Sequence, residues 1–248
     1  MDPWQHTYKD KLLTAEQAAN LVKSDQLVRL HLGKPPIPIL DALANRNGQL
    51  ENVTVIQCYP LYSHPIWNEA GYDQSFNMIV DYVAEGCRQG MKKHYVDFMP
   101  LDYPQYAKQA EQGRTNTWNA DIFFGVVSPP DEKGYCSFGN TLWYNKDVAQ
   151  AAKSFVAEVD PPFIRTHGDN FIHVSEIDYL VEETQPFPVG TPPPPDEEQG
   201  TLEVIGEFAS SLIREGKTQR QRAEALISIA HPDFQPELQK AAKKMFWP

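Results

Sequence analysis

Short apolar runs alternate with helix-like segments along the first 185 residues of the chain. The apolar runs have the length and the β-branched or aromatic composition of buried strands. Strands alternating with helices favour an α/β fold, with an open, mostly parallel sheet covered by helices on both faces. We predict strands at Gln26–Leu32, Val53–Cys58, Tyr95–Met99, Ile122–Val127, Ser154–Val159 and Ile177–Val181.

Helical periodicity and end signals place helices between these strands. Thr14 and Gln17 have the spacing of a capping box, which predicts a helix from there to about Lys23. Residues 72–90 fit a helix or a strand, and the pattern leaves both open. Three further helices are predicted, at Ile37–Ala44, Pro104–Gln112 and Lys146–Ala152.

A proline-rich segment separates a C-terminal helical part from the rest of the chain. Residues 186–200 include four consecutive prolines, which favour an extended linker. Three helices follow the linker, and we expect them to dock on the first domain or on another subunit because they are too few for a core of their own. The predicted parts are an α/β domain at 1–185, a linker at 186–200 and a helical segment at 201–248. The predicted C-terminal helices are Thr201–Glu215, Gln221–Ala230 and Pro236–Lys244.

The stretch VVSPPDEKGYCSFG, Val126–Gly139, runs from a buried strand into two prolines, a charged turn and a row of small residues. The prolines end the strand because they cannot donate a ladder hydrogen bond. The segment Tyr135–Gly139 then returns, which predicts a hairpin at the strand end. Such a hairpin lies beside a ligand or is a plain surface turn, and local chemistry leaves both open.

A second loop, His31–Pro36, joins a predicted strand to a predicted helix through Gly33. Backbone N–H groups at such a turn can hold an anion or an oxyanion, although Gly and Pro can also be there only to make the turn. Both loops follow carboxyl ends of predicted parallel strands, the edge at which open α/β sheets bind ligands. We therefore predict that they line one site, and that Gly139→Val weakens ligand binding without unfolding the chain. The candidate substrate-binding residues are Gly33, Lys34, Pro35, Ser137, Phe138 and Gly139.

Net charge, cysteine content and the length of apolar stretches limit the classes of function that the chain can have. The net charge of −11 over 248 residues disfavours a nucleic-acid-binding surface. The three cysteines are odd in number and widely spaced, which predicts buried free thiols in a reducing compartment. No stretch approaches the ~20 apolar residues of a membrane span. The expectation is a soluble cytoplasmic protein without nucleic-acid or membrane partners.

Common catalytic motifs are missing from the sequence. It has no Walker A, GxGxxG or HExxH pattern. The histidines near strand ends are isolated, and acidic pairs such as Asp178 with Glu182 fit solvated strand ends. No metal site is predicted.

The stretch VSPPDEKGYCSFG closely resembles the signature of the acetyl-CoA hydrolase/transferase family, which includes 4-hydroxybutyrate and acetate CoA-transferases. Three further segments resemble that family in the same order, so that the resemblance covers about residues 8–216. They are LHLGKPPIPILDAL, GDNFIHVSEIDYLVE and IGEFASSLIREG.

The resemblance implies two similar α/β domains with the active site between them. It implies that a glutamate carboxylate attacks an acyl-CoA thioester, forming an anhydride and then a glutamyl-CoA thioester, before a second carboxylate takes the CoA. CoA is thus a substrate, and no cofactor is expected. The Gly33–Pro35 turn fits the backbone donors that the oxyanions need.

The chain also departs from the family pattern. The family's nucleophilic glutamate, in a histidine-serine-glutamate-methionine context, has no match after Gly216, and no catalytic residue is assigned. Instead LISIAHPDFQPELQKAAKK, at 226–244, resembles the family's extreme C-terminus. The family's Gly-Gly-Asn segment is also not recognisable at 80–86.

Three hypotheses follow from this pattern. The chain is half of a split CoA-transferase, acting on an acyl-CoA and a carboxylate, whose glutamate comes from a partner subunit. Alternatively, it is a non-catalytic binding or scaffold protein derived from such an enzyme. A water-using thioesterase is the third and smaller alternative. For the first we expect a hetero- or homo-oligomer, because the lost domain would leave apolar surface exposed.

Overall fold

The computed structural model describes residues 3–100, 119–182, 184, 200, 201, 203–206 and 219–246. The predicted helix Pro104–Gln112 and nearly all of the predicted linker lie outside these residues. The chain divides into two compact units, Met1–Pro188 and Val189–Pro248, which are taken separately below.

The first unit is built on a seven-stranded parallel sheet, which confirms the predicted fold class. The strands in sheet order are β4 (Val96–Phe98), β3 (Phe76–Val80), β2 (Val53–Gln57), β1 (Leu27–Leu30), β5 (Ile122–Val127), β7 (Phe155–Val159) and β9 (Tyr179–Val181). Strand β1 is central: β2, β3 and β4 follow it in order toward one edge of the sheet, and β5, β7 and β9 follow in order toward the other edge. The direction of winding therefore reverses between β1 and β5, where Val28 pairs with Ile122.

Helices and a small second sheet surround this parallel sheet. The helices of the first unit are α1 (Pro3–Asp10), α2 (Ala15–Ala19), α3 (Ile37–Ala44), α4 (Pro65–Asn68), α5 (Arg88–Lys92) and α6 (Asn145–Ala151). The second sheet pairs β6 (Tyr135–Ser137) antiparallel with β8 (Phe171–His173).

Successive side chains of the central strands point to opposite faces of the sheet and pack into two separate hydrophobic clusters. On β5, Phe124 belongs to the cluster that includes Leu40 and Leu43 of α3. Phe123 belongs to the opposite cluster, together with Val148 of α6 and Cys136 of β6. The apolar run of β5 is fully buried because both faces of the sheet are covered.

Several predicted elements differ in detail from those observed. The capping box at Thr14 and Gln17 is present, but α2 ends at Ala19, four residues before the predicted end. The ambiguous segment 72–90 contains strand β3 and the start of α5.

The predicted hairpin has a different partner from the one expected. Its return segment β6 pairs with β8, a strand that sequence reasoning did not identify. Ser128 and Ser137 still bridge the base of the loop through one backbone hydrogen bond of 2.9 Å. Since Pro129 and Pro130 lack N–H groups, the chain leaves the main sheet there instead of continuing a ladder.

The second unit contains α7 (Gln219–Ile229) and α8 (Gln235–Phe246), close to two of the three predicted helices. Most of the third, Thr201–Glu215, lies outside the described residues.

Cys58, Cys87 and Cys136 are buried and form no disulfide, as predicted. Among the described residues no helix is long and apolar enough to cross a bilayer. The same residues contain no group of three or more potential metal ligands.

Candidate functional site

Buried polar side chains collect at the carboxyl edge of the parallel sheet, around the point where its winding reverses. A crevice at such a point is the usual ligand site of an open α/β sheet. Some of these buried polar residues lie in the last positions of β2 and β7, and the others follow a strand or come from neighbouring loops and helices. They include His31, Lys34, Gln57, Asp81, Ser128, Ser137, Asn145, Glu158, Asp160 and Asn170.

The Gly33 turn begins directly after β1 and adopts a left-handed conformation with φ of +80°. The Gly33 N–H donates to the Cys58 carbonyl and the Lys34 N–H to the Leu32 carbonyl, both at 3.1 Å. Pro35 has no N–H group. Both N–H groups of the turn therefore have partners in this structure, and their binding of an oxyanion stays a prediction. The positively charged group that the turn presents is the Lys34 ammonium.

Lys34 lies between two buried carboxyl groups. Its ammonium group donates a hydrogen bond to Asp160, and Glu158 Oε1 is 4.0 Å from Lys34 Nζ. Burial raises the pKa of Glu158 to about 8, and Asp160 adds to the rise although Lys34 opposes it. Glu158 is therefore mostly protonated at pH 7, which leaves Lys34 and Asp160 as a neutral ion pair.

His31 holds the start of this turn against the neighbouring strand. Its Nδ1 accepts from the Val126 N–H at 3.1 Å, so the ring proton is assigned to Nε2, which donates to Thr141 Oγ1 at 2.6 Å. Burial, with Lys34 nearby, lowers the pKa of His31 to about 3. This histidine is therefore neutral and acts as a structural link between β1 and β5. Asn145 supports the same turn, because its Oδ1 accepts from the Leu32 N–H at 3.1 Å.

The segment Ser137–Gly139 is packed inside the protein. Ser137 Oγ accepts from the Gly139 N–H at 3.1 Å and from the Asn170 amide at 3.2 Å, and Phe138 is fully buried. Gly139 has a φ of +64°, and a Cβ there would lie 2.6 Å from the Phe163 ring. The residue is small because a facing loop approaches it. The expectation that Gly139→Val leaves the fold intact is therefore wrong.

Two residues link the candidate segments in space. A Cβ on Gly33 would lie 3.9 Å from the Thr141 methyl group, and Thr141 lies in the turn that starts at Gly139. Phe163 contacts the Gly139 position and lies with its ring centroid 5.9 Å from Lys34 Nζ. The structure thus brings the Gly33–Lys34 turn and the Gly139 turn together, with Ser137 and Phe138 buried beside them.

An aromatic cavity of about 290 Å³ opens next to this turn. The rings of Tyr59 and Tyr82 meet edge to face at 4.7 Å, while Trp143 is 64% exposed. Tyr59 and Trp143 have positive φ angles of 52° and 32°, which are strained for such residues. The cavity is lined by Leu32, Tyr59, Tyr82 and Trp143.

A buried polar group is formed by Arg29 together with Asp81 and Tyr144, the direct sequence neighbours of the lining residues Tyr82 and Trp143. The Arg29 guanidinium donates to the Tyr144 hydroxyl at 3.1 Å and lies 3.9 Å from the Asp81 carboxylate. Burial raises the pKa of Asp81, although Arg29 opposes the rise.

Sequence reasoning missed the cavity and the two carboxyl groups beside Lys34. The lining comes from four separate loops, so no local pattern joins it. For Glu158 a signal was available, since FVAEV places one carboxylate inside an otherwise apolar strand. Tyr59 and Tyr82 each lie two residues beyond a strand end, which is also a readable position.

Comparison with known proteins gives matches along most of the chain. The profile of the acetyl-CoA hydrolase/transferase N-terminal domain matches residues 2–190, and that of the C-terminal domain matches residues 201–242. The 4-hydroxybutyrate coenzyme A transferase of Clostridium kluyveri is 31% identical over 217 residues, which cover 87% of this chain and 49% of that protein. The succinyl-CoA:cyclohexane-1-carboxylate CoA transferase of Geobacter metallireducens is 29% identical, over 86% of this chain and 47% of that protein. The chain thus spans about half the length of these relatives.

Solved structures share the fold. RipA from Yersinia pestis aligns with a TM-score of 0.65 and 22% identity, over 93% of this chain and 56% of that one. The 4-hydroxybutyrate CoA-transferase of Porphyromonas gingivalis aligns with a TM-score of 0.54 and 24% identity, over 90% of this chain and 53% of that one.

Proposed function

The chain belongs to the acetyl-CoA hydrolase/transferase family, and from this membership we propose that it forms the first-domain half of an acyl-CoA:carboxylate CoA-transferase. In this proposal a partner chain supplies the nucleophilic glutamate. The observation that supports it best is at the carboxyl edge of the sheet, where the Lys34 ammonium is held between Asp160 and Glu158. An aromatic cavity opens at the same edge. Both substrates of such an enzyme carry negative charge, and the acyl group of one of them is apolar.

The two parts of the site suit different parts of the substrates. The cavity lined by Leu32, Tyr59, Tyr82 and Trp143 suits an acyl group, because its walls are apolar and aromatic. Lys34 suits a carboxylate, since its ammonium carries charge and its side chain is still 10% exposed. The neutral His31 and Asn145 hold the turn in place between them.

The carboxyl groups at this edge make poor nucleophiles. Glu158 is fully buried and Asp160 and Asp81 nearly so, while Asp160 is also held by Lys34. A carboxylate that attacks a thioester must be ionised and must reach the carbonyl carbon. We therefore assign none of them that role, which agrees with the missing family glutamate and favours a partner chain as its source.

Calorimetry on the full chain, with acetate and with acetyl-CoA as separate ligands, tests this proposal. Lys34→Met should weaken acetate binding roughly tenfold by removing a charge–charge contact of about 1–2 kcal/mol. Lys153→Met is the matched control, because Lys153 pairs with Asp121 at an exposed position and should leave affinity unchanged. Equal affinity of the two variants, or no binding by the unmodified chain, would contradict the proposed site.

A further inference from the structure

Glu158 is a buried carboxyl group whose two oxygens have no hydrogen-bond partner among the described residues. It lies on β7 with Val126 of β5 and Val181 of β9 opposite it, so the flanking strands offer no charge at this level. Its exposed fraction is 0%. A buried carboxyl group without hydrogen-bond partners is rare in proteins, so its presence calls for a reason.

The charged groups that face Glu158 come from two places. Lys34 approaches from the loop after β1, and Asp160 follows on the chain just beyond β7. His31, which is near Lys34, is neutral through the physiological range. The three-residue cluster Lys34–Glu158–Asp160 is therefore neutral while Glu158 holds its proton, and it carries one negative charge once Glu158 ionises.

We propose that Glu158 is a proton-operated switch on anion binding at Lys34, open to a carboxylate ligand while Glu158 is protonated and closed when it ionises. The choice of a carboxylate as the ligand rests on the proposed function. In the protonated state Lys34 faces one carboxylate, Asp160, and an incoming anion meets a neutral cluster. In the ionised state two carboxylates compete for the same ammonium, and the anion meets a net negative charge.

The geometry makes this coupling strong. Glu158 Oε1 lies 4.0 Å from Lys34 Nζ, and the cluster is screened from water, so a change of one charge is felt across it. The raised pKa of Glu158, about 8, places the change just above neutral pH. A carboxylate that titrates in its ordinary range would stay ionised throughout and could not act in this way.

Acetate is the probe that tests the switch, because its own charge is constant between pH 6.5 and 9.5. Its dissociation constant is measured on the full chain by NMR titration of the Lys34 and Gly33 amide signals. In the unmodified chain we expect affinity to fall at least about tenfold across this range. Glu158→Gln, which copies the protonated form, should keep the affinity of low pH at every pH. The control Glu132→Gln, at an exposed turn position, should retain the pH dependence of the unmodified chain.

If Glu158→Gln does not fold, a second measurement on the unmodified chain tests the switch instead. The side-chain carboxyl ¹³C signal of Glu158 in the unmodified chain should titrate with the same midpoint as acetate affinity. Absence of acetate binding at every pH, affinity that does not change with pH, or an equal fall in Glu158→Gln would each overturn the proposal. So would a Glu158 midpoint in the ordinary glutamate range. Acetyl-CoA binding, measured in parallel at pH 7, decides the proposed function separately.

Discussion

Single ionisable residues at the carboxyl edge govern how the first unit responds to pH. Glu158 and His31 are both fully buried, and burial favours the neutral form of each. Glu158 is neutral because its raised pKa keeps it protonated, and His31 is neutral because its lowered pKa keeps it deprotonated. A group whose pKa differs between the folded and unfolded states makes the free energy of unfolding depend on pH. The two residues should therefore act in different pH ranges and with opposite sign.

Glu158 should reduce stability as the pH rises. Its folded pKa of about 8 lies above the ordinary value of 4.5, so the folded chain binds a proton that the unfolded chain releases between these values. The free energy of unfolding that this group contributes falls from about pH 4.5 to pH 8. Glu158→Gln should remove this slope and stabilise the chain at pH 8.5 by about 2–4 kcal/mol. Urea unfolding of both proteins from pH 5 to 9 measures the effect, and parallel curves would contradict it.

His31 should reduce stability as the pH falls. Its pKa is lowered to about 3 in the folded chain, so the unfolded chain takes up a proton below its ordinary pKa of 6.5 and the folded chain does not. Its contribution is complete above pH 6.5 and is lost progressively toward pH 3.

Replacement of His31 should also cost stability at neutral pH. His31→Ala leaves the Val126 N–H buried without its acceptor and opens a cavity, which should cost about 2–4 kcal/mol at pH 7.5. The stability difference between the two proteins should shrink as the pH falls from 6.5 to 4. Thermal unfolding across that range measures it, and a constant difference would show that His31 does not titrate in this way.

At the scale of elements, the junction between β6 and the following turn is the tightest part of the candidate site. Gly139→Ala should destabilise the chain by about 2–4 kcal/mol, because its φ is +64° and a Cβ would meet the Phe163 ring at 2.6 Å and the Ile164 carbonyl oxygen at 2.9 Å. Gly48→Ala is the matched control, since Gly48 also has a positive φ, of +79°, but nothing lies within 4 Å of its Cβ position. The control should cost about 1 kcal/mol. If urea unfolding gave the same loss of stability for both variants, the loop with Phe163 and Ile164 would have moved to make room for the added Cβ.

The elements also show how far the sequence determines this fold. The start of α3 and the end of β5 can be predicted from local signals, because Pro36 directly precedes α3 and Pro129 follows the end of β5. Strand β8 was not predicted, because it pairs outside the main sheet with β6, which lies more than thirty positions away along the chain. The loops that contain Gly33 and Gly139 could be identified as candidate site segments from the sequence, because glycine is typical of turns that need a positive φ angle. Asp160 and Thr141 were missed because only the folded chain brings Asp160 to Lys34 and Thr141 to His31.

For the whole molecule, the proposal makes activity depend on a second chain. The described carboxyl groups at the site are buried or paired, and the family's nucleophile has no match in the sequence. Loss of the covalent step should lower the rate of CoA transfer by many orders of magnitude, whereas in the proposed function the chain binds acyl-CoA through its own residues. Binding without turnover is therefore the expected behaviour of the purified chain.

The most direct measurement is the transfer of CoA from propionyl-CoA to ¹³C-labelled acetate, followed by mass spectrometry. The purified chain alone should form no labelled acetyl-CoA above the uncatalysed background. Addition of a protein that carries the histidine-serine-glutamate-methionine segment should start the exchange, and the glutamate of that protein should be trapped as the glutamyl-CoA thioester. Rapid exchange by the purified chain alone, with the thioester on one of its own glutamates, would contradict the account.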